Sequence, residues 1–134
     1  MENFIQGMAA VDAFTELGPY QFYIVFSAVA PVQIFKPQDN KAGILLCHAC
    51  LQPDTTTGDI VILMADMNAP TGTTPARDTS KRSILIAANG RVEQLMRPMR
   101  IKPEYGLWAC ASAFSQGARA LGSYKLLQKW GGNR

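Results

Sequence analysis

The residue types with the most obvious chemistry lie in one tetrapeptide, Cys47-His48-Ala49-Cys50. Together with Cys110, this tetrapeptide accounts for all three cysteines and the single histidine of the 134-residue chain. Three thiolates and one imidazole form a ligand set for structural zinc. However, the tetrapeptide lies in an apolar run of strand length, residues 43–51, in which neighbouring side chains would point to opposite faces. Because no glycine separates the two cysteines to allow a tight turn, we predict no metal site.

The C-x-x-C spacing is also a redox pattern. In thioredoxin-like proteins the first cysteine begins a helix, and the helix N-terminus lowers the thiol pKa. The residues after Cys50, Leu-Gln-Pro-Asp-Thr-Thr, do not continue as a helix. A thiol or zinc enzyme that uses Cys47 and Cys50 is therefore our third hypothesis. The simpler interpretation is that the cysteines are small apolar core residues.

Other catalytic sets are poorly represented in the sequence. A triad with a histidine base would have to use His48, which lies inside the apolar run. Asp59 and Asp66 flank one predicted strand at opposite ends, too far apart to act as paired carboxylates. The chain contains neither of the glycine motifs that cradle phosphates. We therefore predict a protein without catalytic residues, cofactor or metal.

Charge is distributed unevenly along the chain. Before Arg77, two basic residues stand against seven acidic ones, and from Arg77 onward eleven basic residues stand against three acidic ones. The two parts therefore carry about −5 and +8, within a net charge of +3. Such asymmetry suits a basic surface that binds nucleic acid. It equally suits assembly, in which an acidic surface of one copy meets a basic surface of another.

The candidate binding residues are the arginine and lysine side chains between residues 77 and 102. Arginines outnumber lysines there, which suits bidentate phosphate contacts and stacking on bases. Tyr105 and Trp108 are the nearest aromatic side chains that could stack on bases. The predicted nucleic-acid-binding residues are Arg77, Lys81, Arg82, Arg91, Arg97, Arg100 and Lys102.

The first half of the chain must supply the scaffold for these residues. Residues 2–17 have apolar positions at helical spacing and predict an N-terminal helix. The next segment is rich in aromatic and β-branched residues, and Pro31 interrupts it. Four strands are predicted before the basic region, at residues 21–28, 32–35, 43–51 and 59–67. The last two are so apolar that we expect them to be buried on both faces or to lie at an oligomer interface.

The basic residues themselves fall on a loop and a hairpin. Residues 68–82 contain two prolines, a glycine and no periodic pattern, so we predict a mobile loop. Residues 83–96 place Asn89-Gly90 between two strand-like segments. This dipeptide favours a type I′ turn, which predicts a β-hairpin.

Residues 105–124 have apolar positions at helical spacing and predict a C-terminal helix. Small residues along one side of this helix would let another backbone approach closely, either a sheet of the same copy or a second copy. This ridge is our candidate oligomer interface, and it consists of Ala109, Ala113, Gly117 and Ala120. Residues 125–134 are predicted to be a flexible tail.

Taken together, the patterns predict one α+β domain over residues 1–134, a small barrel or curved antiparallel sheet with a helix at each end. The predicted function is non-catalytic binding of RNA or single-stranded DNA by a self-associating protein, such as a viral structural or accessory protein. The alternative is an assembly or scaffold subunit without nucleic acid. The odd cysteine count and the lack of a secretory signal favour a reducing intracellular location, cytoplasm or virion, and no membrane partner.

Overall fold

The computed structural model describes residues 18–55, 58–114 and 117–128. Within these residues, nine β-strands form two antiparallel sheets. The strands are β1 Tyr20–Val25, β2 Val32–Phe35, β3 Ile44–Gln52, β4 Ile60–Asp66, β5 Arg82–Ala88, β6 Glu93–Gln94, β7 Met99–Ile101, β8 Gly106–Ala111 and β9 Arg119–Leu126.

The first sheet has the strand order β1-β9-β3, and its far edge is shared by the short strands β6 and β7, which both pair with β3. The second sheet has the order β2-β8-β4-β5. The two sheets enclose one apolar core, in which Leu46 and Leu51 of β3 are buried together with Leu63 of β4 and Leu107 of β8. The architecture is therefore a β-sandwich.

The predicted strands of the first half are confirmed, at Tyr20–Val25, Val32–Phe35, Ile44–Gln52 and Ile60–Asp66. The strand β4 is apolar throughout because both of its faces are covered. Leu63 points into the core between the sheets, and Ile62 and Met64 form a second buried cluster with Cys110 and Ala76.

Ala76 belongs to the loop over residues 68–82, which packs on the outer face of the second sheet. The loop contains the short 3-10 turn Pro75–Arg77, in which Pro75 and Ala76 are buried. Asp78 accepts hydrogen bonds from the backbone N–H of Thr71 and from the hydroxyl of Ser80, at 2.8 and 2.6 Å. These bonds, that of the Ser80 hydroxyl above all, lower the pKa of Asp78 to about 2. The mobility of the loop stays a prediction.

The predicted C-terminal helix is wrong. Residues 105–124 contain the two strands β8 and β9, and no helix of seven or more residues occurs in the described ranges. The fold is therefore β-rich rather than α+β. The predicted N-terminal helix, residues 2–17, lies outside the described residues. In the part of the chain that the structure describes, no helix has the length and apolar character needed to cross a membrane.

The ridge of small residues disappears together with the helix. Ala109 lies in β8 of the second sheet and Ala120 in β9 of the first, and both are fully buried in the shared core. Ala113 and Gly117 lie in the connection between these strands. The four residues therefore form no common surface. Alanines suit the interior here because they let the two sheets approach closely.

The turn at Asn89-Gly90 is confirmed, but the hairpin is wrong. Asn89 and Gly90 have φ angles of 56° and 75°, and the Arg91 N–H donates to the Ala88 carbonyl at 3.1 Å. The flanking strands belong to different sheets, since β5 pairs with β4 and β6 pairs with β3. The turn thus carries the chain from one sheet to the other along one side of the sandwich.

Candidate nucleic-acid interface

Five exposed cationic side chains lie along one side of the sandwich, on β5, on β7 and on the segments beside β6 and β7. We call this surface the basic edge. It consists of Arg82, Arg91, Arg97, Arg100 and Lys102. Glu93 is the one acidic residue between positions 82 and 102, so this segment carries +4 while the rest of the chain sums to −1.

The strand pairings fix the order of these cations. Arg82 pairs with Ala65 at the start of β5. The chain then runs to the turn at Asn89-Gly90 and returns alongside β3 as the strands β6 and β7. Glu93 faces Leu51 near one end of β3, and Arg100 faces Leu45 near the other. Arg82, Arg100 and Lys102 therefore lie at one end of the edge, Arg91 at the other and Arg97 between them, over a length of about 20 Å.

A cavity of about 140 Å³ opens between the two sheets at the end that carries three cations. Ala65 and Ile101 are buried at its floor, whereas Arg82, Arg100 and Lys102 are exposed around its mouth. Ile84 and Met99 contribute further apolar lining, and the ring of Tyr105 completes the wall. The cavity thus combines an apolar interior with a positively charged entrance.

Asn40 holds the turn that carries Lys102 and Tyr105. Its side chain is 1% exposed, and Nδ2 donates to the carbonyl oxygens of Lys102 at 2.8 Å and Tyr105 at 2.9 Å. In return, the Glu104 N–H donates to the Asn40 carbonyl at 2.8 Å, although Glu104 has a φ of 74°. The fixed turn places the Lys102 ammonium 4.9 Å from the centre of the Tyr105 ring, a cation–π contact.

The Arg100 side chain already makes contacts within the protein. One guanidinium nitrogen donates to the Ala42 carbonyl at 3.3 Å. The side chain also lies over Gly43, where an added Cβ would be 3.0 Å from the arginine Nε. Arg100 is therefore both a support for the 42–43 backbone and a cation at the cavity mouth, whereas Arg82 and Lys102 are better suited as mutational probes of binding.

The opposite end of the basic edge rests on a buried carboxylate. Asp59 is 2% exposed and accepts hydrogen bonds from the Asp54 N–H and the Ser112 hydroxyl, both at 2.5 Å. Its backbone carbonyl accepts from the Asn89 N–H at 3.2 Å. Asp59 therefore anchors the turn that precedes Arg91.

The remaining predicted binding residues lie elsewhere or are already paired. The Arg77 guanidinium donates a hydrogen bond to the Gly58 carbonyl at 3.1 Å. Gly58 precedes β4, so Arg77 lies at the opposite end of that strand from Lys81. Lys81 forms an ion pair with Asp66 at 2.8 Å, and its hydrogen bond is the main reason that the pKa of Asp66 is lowered. The second stacking candidate, Trp108, is 4% exposed within β8.

The thiols do not converge on one site. Cys47 and Cys50 lie in β3 of the first sheet, whereas Cys110 is buried in β8 of the second. Burial raises the pKa of Cys110 to about 12 and raises that of Cys50 as well, which is opposite to what a reactive thiolate requires. Among the described residues, no group of three or more histidine, cysteine, aspartate or glutamate side chains could hold a metal ion.

No family model, no curated protein and no solved structure matches this chain. The geometry of the basic edge and its cavity is therefore the basis for a functional assignment. The residues predicted from the sequence include the five cations of the basic edge and Tyr105 but not Asn40. Asn40 stands in a turn-rich segment, and no sequence signal connects it with a turn 62 residues further along the chain.

Proposed function

We propose that the protein binds single-stranded nucleic acid, RNA or DNA, along the basic edge and does not catalyse a reaction. The observation that carries this proposal is the convergence of Arg82, Arg100 and Lys102 around a cavity that contains Tyr105. Cationic side chains contact phosphates, and aromatic rings beside them stack on bases. This combination is typical of surfaces that bind single strands.

The shape of the site favours a single strand over a duplex. Its apolar cavity lies between cations, so a base would have to leave its stack to reach Tyr105 or Ile84. Bases in loops and single strands can be splayed out in this way, whereas paired bases are held inside the helix. The cations along the edge, from Arg82 to Arg91, would follow the phosphates of several consecutive nucleotides.

Salt dependence tests the proposal. The double substitution Arg82→Ala/Lys102→Ala removes two phosphate contacts but leaves Arg100 on the 42–43 backbone. We expect the slope of log K against log salt to fall by about 1.4, since each contact with a single strand contributes about 0.7. The measurement is fluorescence anisotropy of a labelled thymidine oligonucleotide of about twelve nucleotides, repeated with uridine RNA and with duplex DNA.

The matched control is Lys36→Ala/Lys41→Ala, which lowers the net charge equally at exposed positions outside the basic edge. This control should leave the slope unchanged, because its lysines contact no phosphate in the proposed complex. An equal loss in both variants would mean that overall charge, rather than the basic edge, drives binding. No binding by the wild-type protein would contradict the proposed function.

A second candidate function, self-assembly, is favoured by the edge of the first sheet that lies opposite the basic edge. Strand β1 forms that edge, and β9 is the one described strand that pairs with it. The sequence of β1, YQFYIV, contains no charged residue and no proline, and Tyr23 and Val25 are 61% and 55% exposed. Natural edge strands are usually protected by charge, proline or a bulge.

We propose that β1 pairs with β1 of a second copy. Antiparallel pairing of the same strand about a two-fold axis would extend the first sheet across both copies. Because β1 and the basic edge lie at opposite edges of that sheet, the basic edges of both copies would stay accessible. Such a dimer would present two binding surfaces, which raises the avidity for a long strand.

Light scattering during size-exclusion chromatography tests this assembly. We expect the wild-type protein at twice the chain mass of 14.6 kDa and the variant Tyr23→Lys at the single chain mass, because two charges would meet at the paired edges. Met67→Lys is the control, since Met67 is also exposed, at 53%, but lies outside β1. A monomeric wild-type protein, or a dimeric Tyr23→Lys variant, would contradict pairing through β1.

A further inference from the structure

The cavity at the end of the basic edge is small enough to select its occupant. Its volume is about 140 Å³, and it is open to solvent on one side. An apolar cavity of about 150 Å³ in another protein holds one benzene molecule. The cavity therefore has room for one six-membered ring, whereas a fused two-ring system would protrude from it.

The lining identifies the kind of ring. Ala65 and Ile101 at the floor and Ile84 on the wall offer apolar surface to the faces of a planar group, and Tyr105 offers an aromatic ring. One side of that ring already carries the Lys102 ammonium, 4.9 Å from its centre. A stacked ligand would therefore use the remaining surface of Tyr105 and keep a negative group near Lys102.

The charges at the mouth identify what the ring is attached to. Arg82 enters from β5 and Lys102 from the segment after β7, so cations from both sheets flank the opening. A ring bound inside would carry its anionic substituents between them, where phosphates can accept charge-assisted hydrogen bonds. A nucleotide has this arrangement, with an aromatic base beside a phosphodiester.

We infer that the cavity binds one unstacked pyrimidine base of a single strand and disfavours a purine there. This inference rests on the proposed function and adds base selectivity to it. The strand's phosphates bind to the arginine and lysine side chains of the basic edge, and the cavity contributes the energy of one stacked base. Binding along the edge is then electrostatic, and binding in the cavity depends on ring size.

Strands with a single base separate these two contributions. The probes are labelled strands of about ten abasic nucleotides that carry one thymine, one adenine or no base at the centre. Because every strand has the same phosphates, differences in affinity report the base alone. We expect the thymine strand to bind about tenfold more tightly than the baseless strand, the contribution of one stacked base. The adenine strand should gain less than threefold.

The variant Ile84→Phe fills the cavity and should abolish the difference in affinity between the thymine strand and the baseless strand. Ile86→Phe is the matched control, because Ile86 lies on the same strand but outside the cavity and is 48% exposed. Thermal unfolding checks that both variants fold. If Ile84→Phe does not fold, thymidine monophosphate is titrated into the wild-type protein. The methyl resonances of Ile84 and Ala65 should then shift, and those of Ile86 should not.

Each other outcome has a definite meaning. Equal affinities for all three strands, or a thymine gain that survives Ile84→Phe, overturn the base site. An equal gain from adenine overturns the selection for pyrimidines. In all these cases the proposed function stands as long as the baseless strand binds with a salt slope that depends on Arg82 and Lys102. If the wild-type protein binds none of the strands, both the inference and the proposed function are overturned.

Discussion

The substitution Gly122→Ala is expected to destabilise the protein by about 3 kcal/mol, a large part of the stability of a domain this size. Gly122 lies in β9, between Phe22 of β1 and Ala49 of β3. A Cβ at this position would overlap the His48 carbonyl oxygen and lie 2.5 Å from the Phe22 ring. The Phe22 ring could turn away. The His48 carbonyl belongs to the backbone of β3, so that backbone would have to shift to make room for the added Cβ.

Urea denaturation measures this effect, and Gly72→Ala is the control. Gly72 has a φ of 106°, and an added Cβ there would meet nothing within 4 Å. Its replacement should therefore cost only the backbone strain of positive φ, roughly 1–2 kcal/mol. A Gly122→Ala variant no less stable than Gly72→Ala would show that β9 can shift within the first sheet.

The role of Gly122 also explains why the C-terminal helix was wrongly predicted. Residues 105–124 contain many alanines and glycines, and small residues match a helical period as easily as a strand. In the structure these small residues allow close packing in the core and within the first sheet. Ala109 and Ala120 let the sheets approach, and Gly122 makes room for the Phe22 ring. Tertiary packing, which local periodicity does not report, decides the structure of this segment.

The strands of the first half were predictable because their composition permits little else. β4 reads Ile-Val-Ile-Leu-Met-Ala-Asp, a run that must be covered on both sides. The turn at Asn89-Gly90 was equally predictable, because positive φ at two consecutive positions is a local property. The partners of β5 and β6 were not, since pairing depends on which longer strands are available elsewhere in the chain.

The site was predictable in its charges and unpredictable in its geometry. Arg82 and Lys102 are twenty residues apart, and the turn between the sheets returns the chain so that both line one cavity. Lys81 is adjacent to Arg82 in sequence but pairs with Asp66. A sequence reports which side chains carry charge. It does not report which of them the fold has already neutralised.

The substitution Asn40→Asp is expected to cost about 3 kcal/mol or more near neutral pH, although it changes the size of the side chain very little. The Asn40 amide donates to the carbonyls of Lys102 and Tyr105, and its Oδ1 has no partner among the described residues. An ionised carboxylate donates no hydrogen bond and would face the two carbonyl oxygens that now accept from the amide. The turn that positions Lys102 and Tyr105 would then lose its support.

The effect of pH distinguishes this mechanism from a general loss of packing. Burial beside two carbonyl oxygens would raise the pKa of the new carboxyl, so the folded state would favour its protonated form. A protonated carboxyl can again donate one hydrogen bond. The stability difference from wild type, measured by urea denaturation, should therefore shrink from about pH 7 to about pH 4. Asn68→Asp, the same change at an exposed position, should stay within about 0.5 kcal/mol of wild type. An Asn40→Asp variant as stable as this control would mean that backbone contacts alone, including the bond from Glu104 to the Asn40 carbonyl, hold the turn at the cavity mouth.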